Sequence, residues 1–303
     1  MITVGETGAV SVLLDNYMNI QWYPGHMTKA RRMITDNIKL IDAVCEVIDA
    51  RIPFSSRNPD LDEMTGSKPR LIILNRVDQA DPALTKKWVG TLKTSGAAVI
   101  ETDSKNGKGV NLFPEAVRVL LADKLEKYAL KGQSGRQLRV MVAGIPNVGK
   151  SSFINKAARR KAAMTSDKPG VTRGKQWISI DSKLELLDTP GVLWPRFEDQ
   201  TVAENLAFTG AIRDTIMDIE TLGATLMSRL KEFYPERINE RYKVDMTLDI
   251  SGLDMLSLAA RKRGFLIPGG EVDLERMATI LLDEFRGGKL GRITLEKPTD
   301  VEY

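Results

Sequence analysis

The chain has 303 residues, 42% of them hydrophobic and 28% charged, with a formal net charge of +4, which suits a globular protein of about two domains with a buried core. A single cysteine, Cys45, excludes an internal disulfide and a cysteine-built zinc site, and a single histidine, His26, excludes any triad or metal cluster that needs a second one. No apolar run approaches the ~20 residues that span a bilayer and the N-terminus lacks the layout of a secretion signal, so the expected home is cytoplasmic; the basic balance suits a polyanionic partner.

Residues 1–19 show no clear period and read as a tail. From 20 to 197, short apolar β-type runs alternate with helical patterns, which predicts an α/β domain built on a doubly wound, mostly parallel sheet with helices on both faces. Pro24-Gly25-His26-Met27 precedes a predicted helix over 28–40 and a strand over 43–49, in which Cys45 reads as core. A strand over 70–75 runs into Asn75-Arg76-Val77-Asp78. The Asp78 carboxylate offers acceptors only, which suits the N1–H and N2–H₂ pair of guanine and repels adenine, whose N1 is itself an acceptor. The tetrapeptide resembles the guanine-reading N-K-x-D motif of GTPases, with Arg76 in the place of a lysine whose stem packs on the base; a guanidinium can stack there too. An ATP-dependent kinase is disfavoured by the same carboxylate. A helix over 82–94 and a strand over 97–102 lead to Ser104-Lys105-Asn106, which resembles the S-A-K motif that meets the base from the other side. A helix over 114–130 then ends in a polar, glycine-bearing linker, 131–135.

A strand over 138–143 feeds Gly144-Ile145-Pro146-Asn147-Val148-Gly149-Lys150-Ser151, which fits G-x-x-x-x-G-K-[ST], and a helical stretch over 151–160 follows. The glycines let backbone N–H groups of Asn147, Val148 and Gly149 turn toward phosphate oxygens, and the helix N-terminus bearing Ser152 adds partial positive charge. Lys150 can reach the β- and γ-phosphates, and the Ser151 hydroxyl can ligate a bridging Mg²⁺. Thr172, in the polar stretch 161–175, is a candidate Mg²⁺ ligand that engages only when a γ-phosphate is present. Strands over 175–180 and 184–188 precede Asp188-Thr189-Pro190-Gly191; Asp188 emerges at the carboxyl end of its strand and can hold Mg²⁺ through water, while Gly191 leaves the backbone open to the γ-phosphate. Beyond Trp194 the β-type runs stop. Amphipathic patterns near 218–233, 253–263 and 274–286 predict an all-helical domain over 198–303.

In an ordinary GTPase the phosphate loop comes first and the base motif last; here the motifs at 75 and 104 precede those at 144, 172 and 188, a circularly permuted order that adjacent domain termini permit. Together with Pro24-Gly25-His26-Met27, Ile48-Asp49-Ala50-Arg51-Ile52-Pro53, Arg261-Lys262-Arg263-Gly264-Phe265-Leu266, Pro268-Gly269-Gly270 and Phe285-Arg286-Gly287-Gly288-Lys289-Leu290-Gly291, this order makes residues 20–290 resemble the ribosome biogenesis GTPase A family. The resemblance implies a circularly permuted P-loop GTPase fold and a Mg²⁺-dependent GTP hydrolase. It further implies binding to the large ribosomal subunit precursor, its ribosomal RNA and its ribosomal proteins, a late maturation step, and stimulation by the particle. Basic groups at 29–32, 159–161 and 261–263 are positioned in sequence to neutralise RNA phosphates. Val192 follows Gly191 where many GTPases carry a water-orienting glutamine, and the resemblance points to His26 as its replacement, beside Lys150 and Thr172 as catalytic groups. Asn147 resembles the asparagine with which related GTPases hold K⁺. A monomer is expected off the ribosome. Two other readings share the nucleotide motifs: a GTPase acting on tRNA or the small subunit, and a nucleotide-gated RNA- or protein-binding module with negligible hydrolysis, for which Val192 speaks.

Overall fold

The computed structural model describes residues 23–133, 135–158, 177–245 and 249–300. The expected tail and the stretch bearing Thr172 lie outside the described residues, as do Arg159, Arg160 and Lys161.

One six-stranded sheet contains β1 (Ala43–Asp49), β2 (Arg70–Asn75), β3 (Ala98–Thr102), β4 (Leu138–Ala143), β5 (Trp177–Asp181) and β6 (Leu184–Asp188), in the order β3-β2-β1-β4-β6-β5. All neighbours are parallel except the β5–β6 hairpin. From the central pair β1 and β4 the chain winds outward in both directions, so a topological switch point lies between them and opens a crevice at their carboxyl ends.

The described helices are α1 (Gly25–Asn37), α2 (Asp60–Thr65), α3 (Pro82–Thr94), α4 (Phe113–Leu120), α5 (Ala122–Leu130), α6 (Lys150–Ala157), α7 (Gln200–Phe208), α8 (Ile219–Phe233), α9 (Pro235–Tyr242), α10 (Gly252–Lys262) and α11 (Leu274–Arg286). Every residue of β1 is buried, as a strand covered on both faces must be. Its alternation sorts the partners. Cys45 and Val47 join Phe113 and Val117 of α4 and Phe153 of α6; Val44 joins Ala30 and Ile34 of α1 and Leu61 of α2; Ile48 joins Leu92 of α3.

Local chemistry sets the helix ends. Asp81 accepts from the N–H groups of Ala83 and Leu84 at 2.8 and 3.0 Å, with Pro82 at the first position of α3. The helix expected over 114–130 is two helices, because Leu121 leaves helical geometry (φ −107°, ψ 20°) and enters the core, while α5, with no buried residue, runs on along the surface. The helix expected from residue 28 begins at Gly25 and passes into a tight turn over Ile38–Leu40.

Beyond the sheet, α8 packs on α10 and α11. Residues 292–297 then return to the sheet: the N–H groups of Ile293 and Leu295 donate to the carbonyls of Gln79 and Arg51, each at 2.8 Å, and Trp88 Nε1 donates to the Glu296 carbonyl at 3.0 Å. The buried Glu296 carboxylate accepts from the Phe54 and Ser55 N–H groups at 2.7 and 3.0 Å, from the Ser55 hydroxyl, and from Asn205 Nδ2 of α7 at 3.0 Å. No described helix is long and apolar enough to cross a membrane.

Candidate functional site

Residues 144–151 join β4 to α6 across the crevice, and two glycines allow the approach. A Cβ at Gly144 would sit 2.5 Å from the Val47 carbonyl oxygen; one at Gly149, where φ is +98°, would sit 2.3 Å from Asn75 Nδ2. Between them Val148 is buried, while Asn147 is exposed in the left-handed region at φ 57°. Ser151 and Ser152 are exposed in the first turn of α6, where unpaired N–H groups favour an anion.

Lys150 is buried and its ammonium donates to the Ile145 carbonyl at 3.3 Å. Burial drags its pKa down to about 8, opposed by the carboxylate of Asp188 at the end of β6. The following turn lies on the phosphate loop: a Cβ at Gly191 would meet Pro146 N and Cα at 2.8 Å, and Val192 N–H donates to the Gly144 carbonyl at 3.2 Å. The Val192 side chain is itself buried in the cluster holding Ala30, Ile34 and Ala143. It therefore contacts core instead of solvent, and α1 lies beside the roots of both loops. His26 is exposed in the first turn of that helix.

Asn75 is the keystone of the second half. Its Nδ2 donates to the Val148 carbonyl at 2.9 Å; its Oδ1 accepts from the Thr102 hydroxyl at 3.1 Å and from the Ser104 N–H and hydroxyl at 3.1 and 2.7 Å. One buried amide thus ties the loop after β2, the loop after β3 and the phosphate loop together. Arg76, at φ 63°, donates from Nη2 to the Asn147 carbonyl at 2.8 Å, and its Nε lies 3.5 Å from Asp49 Oδ2. Val77 is half-buried against Leu74 and Ile72, and Asp78 and Lys105 are exposed.

A cleft of about 730 Å³ lies over this arrangement. Arg76, Asn147 and residues 149–152 form one wall; the turn after α7 and Arg286 of α11 form the other. Sequence reasoning missed that second wall. No period or charge run marks residues 209–215, whose position is set by Arg286, 72 residues beyond Asp214.

The residues suit a nucleotide phosphate chain with a hard cation. Gly149 and Gly191 leave no room for a side chain where the loops meet, and Ser151 and Asp188 supply the oxygen donors that Mg²⁺ takes. The strands carrying the base-side loops come first in the chain yet lie across the switch point from the phosphate loop, which makes this a circularly permuted P-loop GTPase.

The comparisons agree with that class. A family model described as 50S ribosome-binding GTPase matches residues 139–238. The chain is 45% identical over 284 residues to a Bacillus cereus protein named ribosome biogenesis GTPase A, covering 93% of this chain and 95% of that one. To the Thermotoga maritima protein of the same name it is 34% identical over 282 residues, covering 93% and 96%. It is similar to the crystal structure of GNP-bound YlqF from T. maritima, with a TM-score of 0.64 and 30% identity over 90% of this chain and 100% of that one. This chain belongs to the ribosome biogenesis GTPase A family, and is a GTP hydrolase.

Proposed function

We propose that the protein binds the precursor of the large ribosomal subunit in its GTP form, promotes a late step of its maturation, and is released when the particle stimulates hydrolysis. The observation that carries this reading is the path from Gly191, lying on the phosphate loop, through buried Leu193, Trp194 and Phe197 into α7, whose following turn returns as the far wall of the nucleotide cleft. Loss of a γ-phosphate thereby reaches the helical region by direct packing. We take 1–19 as a tail, 20–197 as the GTPase domain and 198–303 as the domain that grips ribosomal RNA and ribosomal proteins, in a cytoplasmic monomer.

Within the cleft, Asn75, Arg76, Val77 and Asp78 read guanine with Ser104 and Lys105, and Asn147, Val148, Gly149, Lys150, Ser151, Ser152 and Gly191 hold the phosphates. Ser151, Asp188 and Thr172 would hold a Mg²⁺ that neutralises charge between β- and γ-phosphates. Asn147 would hold K⁺, and His26 positions the attacking water in place of a glutamine. Support for His26 is its location on the helix packed beside both loops.

Sedimentation with isolated ribosomal particles tests the reading. Association with large-subunit precursors should require a non-hydrolysable GTP analogue and vanish with GDP; preference for the small subunit or tRNA would overturn it. In the same system, His26→Ala and replacement of K⁺ by Na⁺ should each lower particle-stimulated turnover while leaving GTP affinity intact.

A further inference from the structure

We propose that Arg292, in the segment that returns to the sheet after α11, is a positioning residue for guanine recognition: it holds the backbone on both sides of Asp78, so that this carboxylate meets the base in one fixed orientation. The inference rests on the assignment of Asp78 as the guanine reader, and deepens it.

A carboxylate reads guanine when its oxygens line up with N1–H and N2–H₂, which requires the backbone beneath it to be held to a fraction of an ångström. Residues 76–81 link β2 to α3. Near Asp78 the loop bonds to itself through the Gln79 N–H, which donates to the Arg76 carbonyl at 2.9 Å, and to the loop after β3 through the Val77 N–H, which donates to the Thr102 carbonyl at 3.3 Å. Its other fastenings come from far along the chain. Arg292 Nη2 donates to the Val77 carbonyl at 2.8 Å and Nε to the Ala80 carbonyl at 2.9 Å; Ile293 N–H donates to the Gln79 carbonyl at 2.8 Å, and Asp81 N–H donates to the Thr294 hydroxyl oxygen at 3.1 Å. Of these groups, Arg292 is the one side chain that reaches the backbone both before and after Asp78.

The segment that carries Arg292 is itself fixed. Ile293 and Thr294 are buried, the Thr294 hydroxyl donates to the Ala50 carbonyl at 3.1 Å, and the Thr294 N–H donates to the Tyr234 hydroxyl at 3.0 Å. A Cβ at Gly288, where φ is +71°, would sit 3.0 Å from Gln79 Cγ, so the end of α11 presses on the same loop. Burial lowers the Arg76 pKa while Asp49 and then Asp78 oppose it, so the Asp78 carboxylate acts on a guanidinium that lines the nucleotide cleft. Arg292 is exposed, and its removal leaves the core intact. What its removal costs is order: a loop freed on one side must be fixed again each time the base binds.

Competition of GDP, GTP and inosine diphosphate against a fluorescent guanine nucleotide on the full-length chain tests this. Inosine keeps N1–H and lacks the 2-amino group, so the ratio of GDP to inosine diphosphate affinity reads how well Asp78 is aimed, whatever fraction of the protein is folded. Arg292→Ala should weaken GDP and GTP equally, by about three- to tenfold, and narrow that ratio, with Arg292→Lys recovering part of both. Asp78→Ala should bring the two diphosphate affinities together, and adding Arg292→Ala to it should change their ratio no further. An Arg292→Ala protein that keeps the wild-type ratio would overturn the proposal, whether or not its melting temperature falls, and would leave the GTPase assignment standing. A wild-type chain that binds inosine diphosphate as well as GDP would instead remove Asp78 from guanine recognition, and the proposal with it.

Discussion

Lys150 is a buried ammonium that donates to the Ile145 carbonyl, and burial lowers its pKa to about 8 against the opposing field of Asp188. Phosphate oxygens would restore its charge, so the nucleotide-bound value lies above that of the empty protein. Below pH 8 the lysine is charged in both states and affinity is level; above it the empty protein has lost a proton that binding must return. Nucleotide affinity is therefore expected to fall by up to about tenfold per pH unit from pH 8 toward 9.5, with one proton taken up on binding. Calorimetry of GDP binding in buffers of different ionisation enthalpy measures that uptake directly; a level affinity and no proton uptake across the range would show that Lys150 stays charged when empty. Asn75 carries a different lesson at this scale. Its residue type marks it in the sequence as a base reader, yet the hydrogen bonds it makes to Val148, Thr102 and Ser104 give it a joining role that only assembled loops reveal.

At the scale of elements, the loop after β1 is fastened to the end of α11 by Arg51. This buried guanidinium grips Asp49 through Nε and Nη2 at 2.9 and 2.7 Å and donates from Nη1 to the Phe285 and Arg286 carbonyls at 3.2 and 3.3 Å, satisfying the negative end of the helix. Burial alone would raise the Asp49 pKa, but Arg51, with Arg76 behind it, outweighs that and holds it low. Arg51→Met keeps the volume and strands the carboxylate, so the folded state should lose about 3–5 kcal/mol in denaturant titration; a loss under about 1 kcal/mol would mean that Arg76 suffices. None of this contact, 234 residues apart in the chain, was legible beforehand. What was legible followed from local repetition: β1, β2 and β4 are apolar runs bounded by helical periods, and the residue types at 75–78, 144–151 and 188–191 point to phosphate and base chemistry. The helices that were missed have physical reasons for it. With six residues, α2 is too short to express a period; α7 buries Val202, Ala203, Asn205, Leu206, Ala207 and Phe208 and leaves only Gln200, Thr201 and Glu204 as a narrow polar side; α9 is polar except for Pro235, Ile238 and Tyr242.

Across the whole molecule, the later part of the permuted chain stitches the helical region to the loops after β1, β2 and β4. Gly210 accepts from the phosphate loop, Arg292 donates to the Ala80 and Val77 carbonyls beside Asp78 at 2.9 and 2.8 Å, and Glu296 sits under the loop after β1. Glu296 makes that last seam sensitive to pH. Burial pushes its carboxyl from an ordinary 4.5 up to about 7, although Ser55, Phe54 and Asn205 all donate to it. The fold thus favours the protonated acid: its contribution is complete below about pH 4.5 and is lost as pH rises through 7, a change on the order of 3 kcal/mol. Glu284 titrates in the opposite sense and in another window. Burial would raise it, but Arg241, Tyr242 and Arg263 outweigh burial and hold it at about 2, so its contribution is present above 4.5 and fades only as pH falls toward 2. Burial raises Glu46 and Glu204 as well, so the share of the slope that belongs to Glu296 is the share its own substitution removes. Urea unfolding of the wild type should show stability declining between pH 5 and 7.5, and Glu296→Gln, which cannot ionise, should show a shallower decline even though its amide replaces one acceptor with a donor facing the Phe54 and Ser55 N–H groups. If both proteins decline in parallel, the carboxyl is already ionised at pH 5 and its four donors, not burial, set its charge.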